Sequence, residues 1–447
     1  MSSAPPRPPL SQVAALLGAS LTTSMANLAQ TTVLGLLVYN LTRSELDLGF
    51  LGLAEFAPAL LLMLVAGAAA DRFDRRRVTA VGAIANAVVA LALAWYVHGP
   101  GRLSVTPIFV LVLAFGSGQA FLSPALRSLP AAMVPNEGVP WLVARRSIAS
   151  QTATILGPVL AGLLYAAGAW VPLVGTAVLS GAGAALVMAI RVPDRAAGPF
   201  VGVIGDELNP VGDDQVDHVL EDGIPATGRG FHQALEGLRF VRAQPIVLGA
   251  ISLDLFAVLF GGAVTLLPAI AVRLHAGALG LGWLRAAGGL GAGAMTLVLS
   301  FRPVSRRVGR VLLGAVAVFG VWTIVLGVTR SYALAFVAMF ALSAADAISV
   351  FIRSTLVPLA TPPEMRGRVL AVENVFIGAS NELGGFESGA VGQLLGTTGS
   401  IVLGGIGTLA VGLVWGVLFA PLRRVDRFPT PPPSLAAGNQ DGPTEPT

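Results

Sequence analysis

The sequence predicts an all-α membrane protein, twelve transmembrane helices in two six-helix bundles, and three observations lead there. The 447-residue chain is 54% hydrophobic and only 12% charged, with a mean hydropathy of +0.77, about half the charge of an ordinary soluble domain. Apolar runs recur along it, each of about 20 residues and so long enough to cross a hydrocarbon core of about 30 Å as a helix. The charges gather in short knots between those runs, as in Asp71-Arg72-Phe73-Asp74-Arg75-Arg76-Arg77.

Runs bounded by charge, proline and glycine place the first six spans at about 12–38, 48–70, 79–98, 107–126, 144–168 and 170–191. The proline-rich start, Met1 to Leu10, lacks the charged region, apolar core and small-residue cleavage site of a signal peptide, so the first run is expected to stay in the mature protein. The first bundle thus covers residues 1–191. Residues 192–243 form a cytoplasmic connector. Its acidic part, Asp206 to Asp222, has too little apolar content to pack. Phe231, Leu235, Leu238 and Val241 then recur at spacings of four and three, the pattern of a short amphipathic helix on the membrane face or of a lead-in to the seventh span. The second six spans fall at about 244–268, 282–300, 311–329, 331–356, 369–395 and 398–420, giving a second bundle over 244–420. The tail, 421–447, is proline-rich and expected to be disordered beyond Phe428.

All 28 basic residues are arginine. Under this twelve-span topology twenty-three of them fall on the side of both termini, leaving Arg43, Arg102, Arg273, Arg285 and Arg330 opposite. Arginine near span ends marks the cytoplasmic side, so both termini are expected in the cytoplasm and the protein in the cytoplasmic (inner) membrane. The net charge of +4 comes without a basic stripe interleaved with exposed aromatics, which argues against a nucleic-acid partner. The absence of cysteine excludes disulfides, thiol nucleophiles and cysteine metal sites. An enzyme lacks its parts: His98, His218, His232 and His275 are scattered, with no metal-binding His pair, phosphate loop or nucleophile with its base. Gly289-Leu290-Gly291-Ala292-Gly293-Ala294 imitates a dinucleotide motif but lies inside a span rather than after a strand. No span carries the sustained polar stripe of a channel. Neither a cofactor nor a metal is expected.

The halves echo each other. A shift of 227 residues lays Pro135, Glu137, Ala144, Gly157 and Gly162 on Pro362, Glu364, Ala371, Gly384 and Gly389, and Arg127-Ser128 matches Arg353-Ser354 at 226. Two parallel six-helix repeats are one transporter plan, with the substrate near mid-membrane between them.

Gly67, Ala70, Asp71, Arg72, Arg75 and Arg76 resemble the signature between the second and third spans of the major facilitator superfamily. Ala69 stands for the usual leucine and Asp74 for the usual second glycine, departures similar to the enterobactin-exporter-like branch. Gly157-Pro158 with Gly162 resembles part of a fifth-span signature of proton-coupled exporters, a helix-packing feature whose upstream glycines are missing here. Glu236 to Val241, Arg353 to Leu356, Met365 to Val369 and Phe376 to Gly384 are similar to the same branch. The resemblance implies the major facilitator fold and a monomeric secondary active transporter that exports a small amphiphilic molecule, a siderophore, drug or metabolite, by alternating access coupled to protons. An importer of the same fold remains the alternative.

The resemblance also assigns roles. Asp71 would face the start of the eleventh span, where free N–H groups and the positive helix end favour an anion, and Arg72, Arg75 and Arg76 would form interdomain or intraloop ion pairs; the plainer reading is an anchor that sets topology. The matching segment, 301–310, keeps arginines but has no aspartate, which makes the gate asymmetric. Arg146 and Glu373, at equivalent repeat positions, form a candidate second latch. Within the spans, a charge costs about 2.5 to 3.5 kcal/mol at a helix centre, so Glu55, Asp254, Asp346, Glu382 and Glu387 are candidates for proton or substrate coupling. The family plan has the first, fourth, seventh and tenth spans line the cavity, which favours Asp254 and Asp346. Asn374, Gly378, Asn381 and Gly385 form a thin polar stripe beside Glu382, and Asn27, Gln30 and Gln119 are polar groups on cavity spans that could orient substrate or bond neighbouring helices.

Overall fold

The computed structural model describes residues 9–134, 138–191 and 226–429. Six helices precede the connector: α1 (Leu10–Thr42), α2 (Glu45–Arg72), α3 (Arg75–His98), α4 (Val105–Met133), α5 (Val139–Tyr165) and α6 (Val171–Ala189). After it come α7 (Ala226–Ala243), α8 (Pro245–Phe260), a short 3-10 turn, α9 (Leu267–Arg273), α10 (Gly277–Phe301), α11 (Val308–Val328), α12 (Tyr332–Leu359), α13 (Pro363–Leu418) and α14 (Ala420–Arg423). The seventh span is α8 and α9 together. The eleventh and twelfth are the two limbs of α13, which bend at Gly396, where a φ of 75° and ψ of 163° fall in a region open to glycine. With α2 included and α13 divided at its bend, the described residues hold twelve spans. The acidic stretch 206–222, Pro135, Glu137 and the tail from 430 lie outside the described residues.

Local chemistry sets the helix ends. Ser44 Oγ accepts from Asp47 N at 3.2 Å to cap α2, and Asp74 Oδ1 accepts from Arg76 N at 2.9 Å to cap α3. Prolines sit in the first turn of α5, α6, α8, α9 and α13, where a missing N–H costs nothing. One boundary differs from expectation with a consequence. Helix α10 begins at Gly277, not near 282, so Arg285 lies about 12 Å inside the helix and is not an outer-loop charge.

Two faces follow from the chain ends. On the terminal face, Arg191 N at the end of α6 donates to Gln12 Oε1 at 2.6 Å, and Gly309 N at the start of α11 donates to Val425 O at 3.0 Å. On the far face, Ser44 Oγ donates to Gln393 Oε1 at 3.1 Å and Thr397 Oγ1 to Glu45 Oε1 at 2.7 Å, tying the α1–α2 turn to the α13 bend. Toward the terminal face each bundle keeps its own apolar core: Leu16, Leu129, Leu142 and Val187 in the first, Leu253, Leu312, Leu356 and Val369 in the second. On the far side one core crosses between them, with Leu36, Tyr39 and Leu48 against Leu267, Ile270 and Leu281.

The seam has two matching arms, α5 on α10 and α13 on α2. Gly162 backs onto Ala278 and Leu279, and Gly282 onto Pro158 and Val159; Gly389 backs onto Glu45 and Gly49, and Gly49 onto Phe386. Toward mid-membrane the bundles meet at Gln151, whose Nε2 donates to Gly289 O at 2.7 Å and which faces Gly293, and at Phe56 with Gly378.

The connector helix α7 docks on the second bundle. Glu236 Oε2 lies 2.5 Å from Arg368 Nη1, Gly237 rests on the Arg368 backbone, and Val241 is buried. Leu235 stays 48% exposed, and the side chain of Phe231 lies outside those described.

Candidate functional site

In the second bundle α8, α12 and α13 bring four charged residues together. Asp346 and Arg353 are seven residues apart on α12, two turns along one face. Arg353 Nη2 lies 2.8 Å from Asp254 Oδ1 on α8, and Arg353 Nη1 lies 3.5 Å from Glu373 Oε1 on α13, all three side chains under a tenth exposed. Asp254, Asp346 and Ser349 border a cavity of about 20 Å³, room for about one water. A buried arginine needs such partners, since desolvating it alone costs several kcal/mol.

The first bundle holds a counterpart. Asn27 on α1 and Gln119 on α4 stand 227 residues before Asp254 and Asp346, and Gln119 Nε2 donates to Asn27 Oδ1 at 2.6 Å. Arg127 on α4 and Arg146 on α5, the repeat matches of Arg353 and Glu373, complete the group. These four, with Thr23, Ser24, Ser123, Ser147 and Ser150, line a cavity of about 340 Å³. Among the described residues neither arginine has an ion pair, and Arg146 Nε is buried with no hydrogen-bond partner.

A third cluster bridges the bundles on the far side. Thr31 Oγ1 on α1 donates to Glu55 Oε1 on α2 at 3.1 Å. Glu55 is within electrostatic range of Arg285 on α10 and of Glu382 on α13, and Glu382 Oε2 reaches Gly52, one turn before Glu55. One cation and two carboxylates therefore meet across the seam.

The remaining candidates scatter. Glu387 accepts from Ser388 Oγ at 3.4 Å. Gln30 is fully buried with neither amide atom hydrogen-bonded. Asn374 and Asn381 are exposed, Asn381 donating to its own helix at Ile377 O at 2.9 Å, while Gly378 faces Phe56 and Gly385 faces Thr265. Gly157 backs onto Met25 and Leu28 of α1. The expected latch is likewise not formed: Glu373 faces Arg353 in its own bundle, which leaves Arg146 with the cavity.

At the charge knot, the side chain of Asp71 lies outside those described, Gly67 faces open space and Arg72 is exposed. Arg75 begins α3. Arg76 works inside the first bundle, 2.7 Å from Asp74 Oδ2 and donating to Ile190 O at 2.9 Å. The hydrogen bond from the Arg76 side chain to Asp74, above all, holds the Asp74 carboxyl below the usual carboxylate range.

Arg353, Arg127 and Arg285 are the site residues sequence reasoning missed: Arg127 and Arg353 entered only through the repeat, the branch resemblance and the arginine count, and Arg285 only as a charge on the outer side. The Asp346/Arg353 spacing was the available signal for one of them.

A family model described as Major Facilitator Superfamily matches residues 15–384. The chain is similar to Enterobactin exporter EntS of Citrobacter koseri, 26% identical over 382 residues that cover 83% of this chain and 82% of that protein. It is 24% identical over 383 residues to the protein of the same name from Escherichia coli O6:K15:H31, covering 84% of each. Among solved structures it resembles a bacterial homolog to the human lysosomal transporter Spinster in an inward-facing, unoccupied conformation, with a TM-score of 0.62 at 14% identity, covering 92% of this chain and 95% of that one. It also resembles a POT family transporter in complex with thioalcohol conjugated peptide, with a TM-score of 0.67 at 11% identity, covering 92% and 96%. At these identities the structural likeness bears on the fold alone.

Proposed function

The chain belongs to the Major Facilitator Superfamily, and from that premise we propose that it is a proton-coupled exporter of a small amphiphilic molecule, of the siderophore, drug or metabolite class. It is a multi-pass membrane transporter of small molecules and not an enzyme. The finer reading places it as a monomer in the inner membrane, with bundles at 1–191 and 244–420, a connector at 192–243 and a tail at 421–447. The terminal face is the cytoplasmic one, supported by the arginine asymmetry. The export direction is supported by the likeness to the enterobactin exporters.

One observation carries the coupling: Glu55 and Glu382 come from opposite bundles to a seam that also holds Arg285. Closing the seam brings two carboxylates together, which favours one of them taking a proton. Opening it separates them and releases that proton, so the rocking of the bundles and the protonation of the pair are linked. Asp254, Asp346 and Glu387 are secondary candidates, and Asp71 with Arg72, Arg75 and Arg76 is assigned to closing the cytoplasmic face in the opposite state.

Inside-out vesicles with an imposed pH gradient, screened with siderophores, drugs and dyes, test the reading. Gradient-driven cargo accumulation is expected, lost in Glu382→Gln while gradient-free exchange of the same cargo persists. Transport indifferent to the gradient overturns proton coupling, and cargo movement only in the opposite sense makes the protein an importer. Unchanged transport by Asp71→Asn at normal membrane levels removes the gate assignment.

A further inference from the structure

The two repeat-related clusters differ in one respect that bears on the cargo. In the second bundle Arg353 has its anions built in, Asp254 at 2.8 Å and Glu373 at 3.5 Å, and the space beside them is about 20 Å³. In the first bundle the same positions carry Asn27, Gln119, Arg127 and Arg146, so that the carboxylates are replaced by amides and by a second guanidinium, and the space widens to about 340 Å³. Arg127 and Arg146 are close enough to repel. Neither meets an acid among the described residues, and Arg146 Nε is buried without an acceptor.

Arg127 is exposed and Arg146 half-buried on the wall of this largely polar cavity, and an anion between the two guanidiniums relieves their mutual repulsion. Their planar forks fit the paired oxygens of a carboxylate or phosphate, and the hydroxyls of Ser123, Ser147 and Ser150 add neutral donors around the same space. Resting on the transporter reading above, we propose that the cavity between α1, α4 and α5 binds an oxyanion head, carboxylate or phosphate, of the amphiphilic cargo. The cargo then does for Arg127 and Arg146 what Glu373 does for Arg353. The cavity lies in the half of the first bundle nearer the terminal face, with Arg127 near the end of α4 and Arg146 near the start of α5.

The test is equilibrium binding of 2-naphthoate to the full chain in phosphatidylcholine nanodiscs, with 2-naphthamide as the uncharged isostere. Naphthoate is expected to bind at least about tenfold more tightly than naphthamide, and Arg127→Gln or Arg146→Gln to weaken it about tenfold or more. Arg146→Glu rebuilds the arrangement of the second bundle and gives Arg127 a carboxylate partner, so it is expected to keep the native melting temperature and lose naphthoate. Equal binding of the two probes, or full naphthoate binding by a stably folded Arg146→Glu protein, overturns the proposal. Substituting phosphatidylglycerol for part of the lipid separates the two sources of the anion: retained naphthoate binding supports a cargo site, and its abolition assigns the cavity to a lipid head group and overturns the cargo assignment. Binding is read with no gradient applied, so a failure of proton coupling in vesicles would sink the export reading and leave this measurement standing.

Discussion

Gly162 and Gly389, 227 residues apart, make the same contact from opposite bundles: Gly162 lays α5 against Ala278 and Leu279 of α10, and Gly389 lays α13 against Glu45 and Gly49 of α2. Each leaves no room for a Cβ against facing backbone. Gly162→Ala and Gly389→Ala should therefore force the far seam apart, at about 1 to 3 kcal/mol each, seen as a lower melting temperature in detergent. Gly314→Ala, on α11 with open space around it, serves as the control and should be neutral or stabilising, since alanine is the better helix former. Equal losses at all three positions would mean that the seam contact is not what the first two disturb.

The buried Arg353 gives a second prediction. Arg353→Met strands Asp254 and Glu373 without their cation and should cost about 3 to 5 kcal/mol. Asp254→Leu combined with Arg353→Met removes the closer pair as a unit and should recover part of that loss. Glu373→Gln, which breaks the 3.5 Å contact and not the 2.8 Å one, should cost less than Asp254→Asn. A double-mutant cycle on melting temperatures reads all of these, and strict additivity between positions 254 and 353 would refute the pairing.

What the chain disclosed about itself follows from the range of each signal. The apolar runs and the repeat are local patterns of hydropathy and spacing, and they were legible. The 227-residue echo even marked Gly157, Gly162, Gly384 and Gly389, whose packing against facing backbone supplies the physical reason for the match. Arg285 was not legible: three residues into the span expected at 282–300 it read as a span-end charge, and nothing nearby in sequence announces that Glu55, two hundred and thirty residues earlier, faces it. Arg353 was hidden in the same way at the inner end of α12, where a boundary arginine and a buried one read alike. Asn27 and Gln119 were picked out singly, but their relation to Asp254 and Asp346 needed the helices in place.

The Asp74 cap makes a prediction about pH. Its carboxyl, held below the usual range by the hydrogen bond from Arg76, contributes stability that is fully present above the unfolded-state value and is lost as pH falls through the folded one. Asp74→Asn keeps a competent cap and removes the charge, so wild type should be the more stable at neutral pH and the gap should close in acid. Asp74→Ala loses the cap as well and should cost about 1 kcal/mol more at every pH. A gap between wild type and Asp74→Asn that widens as the pH falls would contradict the pairing with Arg76.

Ser44 and Gln393 meet at 3.1 Å on the far face, one turn from the Thr397 to Glu45 bond, and these contacts must break if the bundles rock about the mid-membrane. The chain contains no cysteine, so Ser44→Cys with Gln393→Cys introduces the only two thiols. A short bifunctional thiol reagent should join them efficiently in the state described and stop transport, and cleavage of the linker should restore it. Access from the terminal face to a cysteine at Ser147, on the cavity wall, should be the same in the cross-linked protein as in the protein before linking, because joining the far face keeps the bundles in the state described. Continued transport at full rate with the link intact would show that cargo moves without parting this seam, and alternating access about it would have to be abandoned.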